Sequence, residues 1–291
     1  MGPLRRWCKC MYDGIGMCGS RQYQVGYELN SSSDIPEGFS IPFQAGTWRK
    51  AILVPGDEHN GWRTTQHSPR IYILKQNELT IYSHPEYGEQ PFAVPLDELI
   101  TVTSHKARNF GTVEFSTLSS SRSFHYDPLH QKYIKSLLSA LRTEWLPLRA
   151  ASGVAIDLKD LDPPLELRSR YALELELDAG ESVLGICSQP QAYSRARTCF
   201  IPGRRPSFTS CLALTNRRIM TIASHNGHAN DHYDVTIRYA AFSNAAGAEI
   251  ERHDDGFSLS LTLRDDCVWN IRLAASQAAS ASKMIELLRH G

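Results

Sequence analysis

Between Glu181 and Asp231 the chain carries no carboxylate, yet Arg195, Arg197, Arg204, Arg205, Arg217 and Arg218 all fall in that interval. Guanidinium groups are planar forks of N–H donors that fit phosphate and carboxylate oxygens, so such a run is chemistry for holding an anion. Arg195, Arg197, Arg204 and Arg205 are the candidate anion- or lipid-binding residues. The bland alternative is a loop whose arginines pair with Asp and Glu from elsewhere, because the chain as a whole is neutral, with 31 Lys plus Arg against 31 Asp plus Glu.

Other chemistry-bearing groups are weaker. His225, His228 and His232, with Asp231 and Asp234 close by, are of the types that ligate a metal. Asn226-Gly227 argues for a turn there, and a polar hairpin loop needs no metal. An enzyme or metal-binding protein using the His225–Asp234 loop is therefore the alternative reading and not the first. Gly14-Ile15-Gly16-Met17-Cys18-Gly19 fits G-x-G-x-x-G in letters, but no strand precedes it and no helix pattern follows, so phosphate has no helix N-terminus to rest on. Cys8, Cys10 and Cys18 lack a nearby fourth ligand. G-x-S-x-G, H-E-x-x-H and the phosphate-binding lysine loop are absent from the sequence, so the expectation is no catalytic residue, no metal and no cofactor.

The elements that must position these residues are short strands. At 291 residues the prior is two domains, and 42% hydrophobic with 21% charged residues is globular composition. A neutral chain gives no overall attraction to nucleic acid. The N-terminus lacks the apolar run of a signal peptide, and no stretch is long enough to span a bilayer. Seven cysteines is an odd number, and the expectation is free thiols in the cytoplasm.

Residues 1–45, rich in glycine and serine, read as a loose leader in which Met11 and Met17 are alternative starts. Residues 46–146 read as a first domain. It has strands at Ala51–Val54 and Ile71–Leu74, a turn Lys75-Gln76-Asn77-Glu78, a strand at Leu79–Tyr82, and further short runs to Tyr126. Asp127-Pro128 then caps a helix with an apolar stripe at Tyr133, Ile134, Leu137, Leu138 and Leu141. Residues 147–170 read as a linker. Residues 171–291 repeat the order: strands at Leu173–Leu177 and Val183–Cys187, a hairpin through Thr215-Asn216-Arg217-Arg218, strands at Val235–Tyr239, Leu259–Leu263 and Val268–Leu273, and a closing helix. Asp254-Asp255-Gly256 is a turn, and Trp48 and Trp62 are expected to pack the core.

The segment Leu212-Ala213-Leu214-Thr215-Asn216-Arg217-Arg218-Ile219-Met220-Thr221-Ile222, followed by Ile237–Phe242 and the strands up to Leu273, resembles bacterial pleckstrin-homology-like domains. The first half resembles them only in the order of its elements. The resemblance implies a mainly β (α+β) fold of two partly open barrels in tandem, each capped by a C-terminal helix. It implies a non-enzymatic binding or scaffold protein, cytoplasmic and peripheral to the membrane, with a protein partner or an anionic phospholipid surface as its target. Self-association stays open. In such domains the four candidate arginines lie between early strands, where phosphoinositide-binding relatives hold headgroup phosphates.

Overall fold

The computed structural model describes residues 26–42, 47–56, 68–107, 110–147, 155–161, 167–189, 193–196, 203–206, 209–224, 235–254 and 256–290. The chain is mainly β, with three antiparallel sheets of five, seven and three strands, a two-stranded ribbon and three α-helices among the described residues.

The first half lays down β1 (Tyr27–Glu28), β2 (Lys50–Val54), β3 (Arg70–Leu74), β4 (Glu78–Ser83) and β5 (Phe92–Pro95), which pair in sequence order. Its next three strands, β6 (Leu99–Lys106), β7 (Gly111–Thr117) and β8 (Ser121–Tyr126), form a second meander. β7 alternates buried and half-buried residues along its whole length, the period-two pattern of a sheet with one face on the core. Asp127 then accepts a side-chain hydrogen bond from the Leu129 amide, a 3-10 turn follows at Pro128–His130, and helix α1 runs over Gln131–Trp145. Its stripe of Ile134, Leu137, Leu138 and Leu141 is buried, as the spacing requires.

The second half repeats this plan. β9 (Val183–Gln189), β12 (Thr209–Thr215), β13 (Arg218–Ser224) and β14 (Val235–Ala241) pair as a four-stranded meander. β15 (Ala245–His253), β16 (Gly256–Leu263) and β17 (Val268–Leu273) make a three-stranded one, and helix α3 (Ala278–His290) closes it. Equivalent positions keep nearly the same spacing: Glu78 and Arg218, which open β4 and β13, lie 140 residues apart, and Leu99 and Ala245, which open β6 and β15, lie 146 apart. Even the irregularity is repeated, for the ladder slips between Leu99 and Thr101 in β6 and between Ala245 and Gly247 in β15.

The halves are not separate barrels, and no sheet closes on itself. β6 of the first half pairs antiparallel with β14 of the second, from Val235 opposite Lys106 to Ala240 opposite Thr101. The resulting sheet runs β8-β7-β6-β14-β13-β12-β9 across both halves. One sheet therefore takes strands from both of the expected domains. β6 and β14 would each end a meander with a row of unpaired amides and carbonyls, and the pairing satisfies both rows at once. One face of this sheet meets β2–β5, α1 and the following helix in a core that includes Tyr72, Phe115, Phe124, Leu141, Met220 and Tyr239. The other face meets β15–β17 and α3 in a second core built on Leu212, Leu214, Leu259, Trp269 and Met284.

Three further expectations change. Part of the leader is structure: Tyr27–Glu28 adds a strand to β2, and Leu29, Ile35, Phe39 and Ile41 pack with Trp48, Leu53 and Ile71 in a small core. Leu173–Leu177 does not form a strand, for Leu167–Glu176 is helix α2, reaching from the expected linker into the second half. Its Leu-Glu-Leu-Glu alternation imitates period two, but Ala, Leu, Glu and Arg are strong helix formers and win. Within the linker, Leu158 is buried and Ile156 bonds through its amide to the Val183 carbonyl.

Candidate functional site

Two places gather charge. The first is the ribbon of β10 (Tyr193–Ala196) and β11 (Gly203–Pro206). Gln189 pairs with Ser210 in the β9–β12 ladder, and in the ribbon Tyr193 pairs with Pro206. Arg195 stands directly opposite Arg204, and Arg205 stands opposite Ser194. Arg197 lies outside the described residues, as do His225, His228 and His232. Among the described residues no three His, Cys, Asp or Glu side chains are grouped to hold a metal ion.

The second place is the seam between the halves, which accounts for the other two arginines of the carboxylate-free run. Arg218, with no exposed side-chain surface, forks onto the equally buried Glu181 through Nε to Oε1 at 2.8 Å and Nη2 to Oε2 at 2.9 Å. Its Nη2 also donates to the Glu176 carbonyl. Arg217 reaches Asp178 at 3.4 Å. From α1 of the first half, Arg142 forks onto the same Asp178 at 2.8 and 2.9 Å and reaches Glu176 at 3.5 Å.

The turn that presents these groups is self-bonded. Thr215 Oγ1 accepts from the amides of Arg217 and Arg218 and donates to Glu181 Oε1 at 2.7 Å. Asn216 accepts from the Ser182 amide and donates to the Gly180 carbonyl, pinning the turn to the segment before β9. The guanidinium carbons of Arg142 and Arg218 lie 5.6 and 5.2 Å from the ring centre of Tyr239, whose ring is tilted 47° against that of Trp145. Burial pushes the Tyr239 hydroxyl up to about 12. Burial opposes ionisation of Asp178 as well, but the Arg142 hydrogen bond and the charges of Arg142 and Arg218 outweigh it and hold that carboxyl below its usual range.

At the end of β14 the chain turns the corner through Phe242–Asn244, and the buried Asn244 amide donates to the carbonyls of Leu99 and Ile100, each at 2.9 Å. Those two carbonyls sit at the slip in the β6 ladder, where regular pairing leaves them short of partners. Sequence reasoning singled out neither Asn244 nor Arg142, Asp178 and Glu181. The signal for the last two was present, since Glu174, Glu176, Asp178 and Glu181 stand immediately before the carboxylate-free run.

The seam thus gathers three arginines and three carboxylates from both halves among buried side chains. Cys187 is a buried free thiol and Cys267 a half-buried one, Cys211 is buried, and burial pushes the Cys187 thiol up to about 12, far from the thiolate a nucleophile needs. A depression on α3 is lined by Ser282, Ile285, Glu286 and Arg289. No helix among the described residues is long and apolar enough to cross a membrane. No family model matches the chain, and no curated protein matches it in sequence.

Proposed function

We propose that this chain is a non-enzymatic binding module of two pleckstrin-homology-like units, acting in the cytoplasm and docking on an anionic phosphate-bearing surface through the β10–β11 ribbon. The unit assignment is supported by an order shared by both halves: a first meander, of five strands in one and four in the other, then three strands and a helix. The observation that carries the docking is the cross-strand pair Arg195 and Arg204. Like charges directly opposite in an antiparallel pair destabilise it, and an anion bridging the two turns that cost into a binding energy. Arg205, next along β11, adds to the positive charge of the ribbon.

The test is sedimentation with vesicles of equal parts phosphatidylcholine and phosphatidylserine at low salt, using the intact chain and the triple variant Arg195→Gln, Arg204→Gln, Arg205→Gln. Each cation near an anionic leaflet contributes about 1 kcal/mol, so the variant loses on the order of a hundredfold in affinity. Its melting temperature stays nearly unchanged. An intact chain that ignores these vesicles ends the reading.

A further inference from the structure

β6 and β15 open the three-stranded meander of each half and carry the same ladder slip, so they are the same edge of one repeated plan. In the first half that edge is filled by β14, with Arg238 opposite Thr103 and Thr236 opposite His105. The offset of 146 residues from Leu99 to Ala245 puts Glu249 where Thr103 stands and Glu251 where His105 stands. Among the described residues β15 pairs with β16 and with no other strand. Ala246, Gly247, Glu249, Ile250, Glu251 and Arg252 are exposed, and a Cβ placed on Gly247 would meet nothing within 4 Å. A strand edge left in water keeps a row of N–H and C=O groups ready to pair with another chain.

The edge is held in shape before anything binds. The ladder to β16 runs from Ala245 to His253 and α3 packs against the strand, so a pairing segment has only itself to order. The side chains decide what that segment must carry. Glu249 and Glu251 share one face, opposite Ser260 and Ser258 of β16. Ile250 lies on the other face, opposite the buried Leu259, and is 37% exposed because the apolar layer ends at this strand. An antiparallel strand laid on the edge sets its own residues across from Glu251, Ile250 and Glu249, and the favoured partners are basic, apolar and basic in turn. A second β15 does not fit. Two-fold pairs centred on Glu249, Ile250 or Glu251 all bring glutamate opposite glutamate, and like charges directly opposite destabilise a ladder.

We infer that β15 is a docking edge for an extended segment of another protein with a basic, apolar, basic pattern, which adds a fourth strand to the β15–β17 sheet as β14 adds one to β6. Main-chain hydrogen bonds supply the affinity, and Glu249 and Glu251 supply the choice of partner. The site uses no residue of the β10–β11 ribbon, so its test is separate from that of the anionic-surface reading.

The test titrates the intact chain with a short synthetic peptide that has Lys-Val-Lys at its centre and threonine elsewhere, and follows hydrogen exchange along the chain. One control peptide has Glu-Val-Glu at the centre. A second keeps Lys-Val-Lys but has proline on both sides of it, which withdraws backbone donors. The lysine peptide is expected to slow exchange of those Gly247–Arg252 amides that face away from β16 and to leave β6 unchanged, while both controls bind at least roughly tenfold more weakly. The double variant Glu249→Lys, Glu251→Lys changes only exposed side chains, so it stays folded, and it is expected to prefer the glutamate peptide by a similar factor. A lysine peptide that leaves β15 exchange as it was, a proline peptide that binds equally well, or a double variant that keeps the original preference overturns the inference. Protection of β15 that grows with the concentration of the intact chain alone, together with a dimer in sedimentation, overturns it too and marks the edge as a contact between copies.

Discussion

The hairpin turn between β3 and β4 and the hairpin turn between β12 and β13 occupy the same place in two copies of one plan, 140 residues apart, yet one stands in water and the other in the middle of the molecule. Lys75 and Glu78 make an exposed ion pair at 3.4 Å, with both side chains more than a third accessible. At the equivalent turn Arg218 and Glu181 have no accessible side-chain surface, and Arg217 and Asp178 have little. The difference is where the turn points. In the first half it meets solvent, whereas in the second it meets α1 and α2, and its charges are there to receive Arg142, Asp178 and Glu176. A repeated unit thus acquires a buried ionic cluster only in the copy that is covered. The lesson extends to β6 and β15, which share a bulge and diverge in fate: Leu99, Ile100, Thr101 and Val102 are buried against a partner strand, whereas β15 is half-buried to exposed along its length.

The largest effect that could break this contrast is removal of Arg218. Arg218→Ala leaves Glu181 buried without its cation and is expected to cost about 3–5 kcal/mol in chemical denaturation. Glu78→Gln at the equivalent position of the first half changes stability by a few tenths of a kcal/mol at most, as is usual for exposed pairs. Equal losses at the two turns would mean that covering the second turn does nothing.

How far the sequence reveals this follows from the range of the interactions. Asp127-Pro128 and the stripe of Ile134, Leu137, Leu138 and Leu141 announce α1, because capping and helical period are local. The turn at Lys75–Glu78 and the alternation of Leu259, Leu261 and Leu263 are legible for the same reason. The β6–β14 pairing is not, since it joins residues such as His105 and Thr236, 131 positions apart and tied by a 2.9 Å hydrogen bond, and edge pairing leaves little trace in either strand's pattern. The arginine run is visible as composition, but composition could not separate Arg217 and Arg218, which are buried and paired, from Arg195 and Arg204, which face each other on a ribbon.

A second and smaller effect sharpens the role of the corner. Asn244→Ala withdraws both donors from the Leu99 and Ile100 carbonyls, and leaving buried carbonyls short of partners costs about 1–3 kcal/mol. Because the lost bonds tie the second half to the first, the unfolding transition should also broaden as the halves begin to open separately. A sharp single transition of unchanged midpoint would remove Asn244 from the seam's stabilising groups.

The third effect is confined to acid. The folded-state Asp178 carboxyl is held below the ordinary aspartate value of 3.8, so the unfolded chain takes up this proton at higher pH than the folded one. Its contribution is fully present above that ordinary value and is lost as pH falls through the folded-state one. Plotted against pH, the stability of the unmodified chain should fall more steeply in this acid window than that of Asp178→Asn, which starts lower and has no such group to protonate. Parallel curves would place the acid sensitivity elsewhere.

Hydrogen exchange along β6 and β15 tests most directly whether the two halves are joined into one structure by the strand pairing. The amides of Thr101–Lys106 should exchange slowly, on the timescale of global unfolding, whereas those of Gly247–Arg252, at the same place in the repeat, should exchange fast on the side facing away from β16. Equal protection of the two strands, or fast exchange throughout β6, would contradict the joined sheet and return the molecule to two independent units.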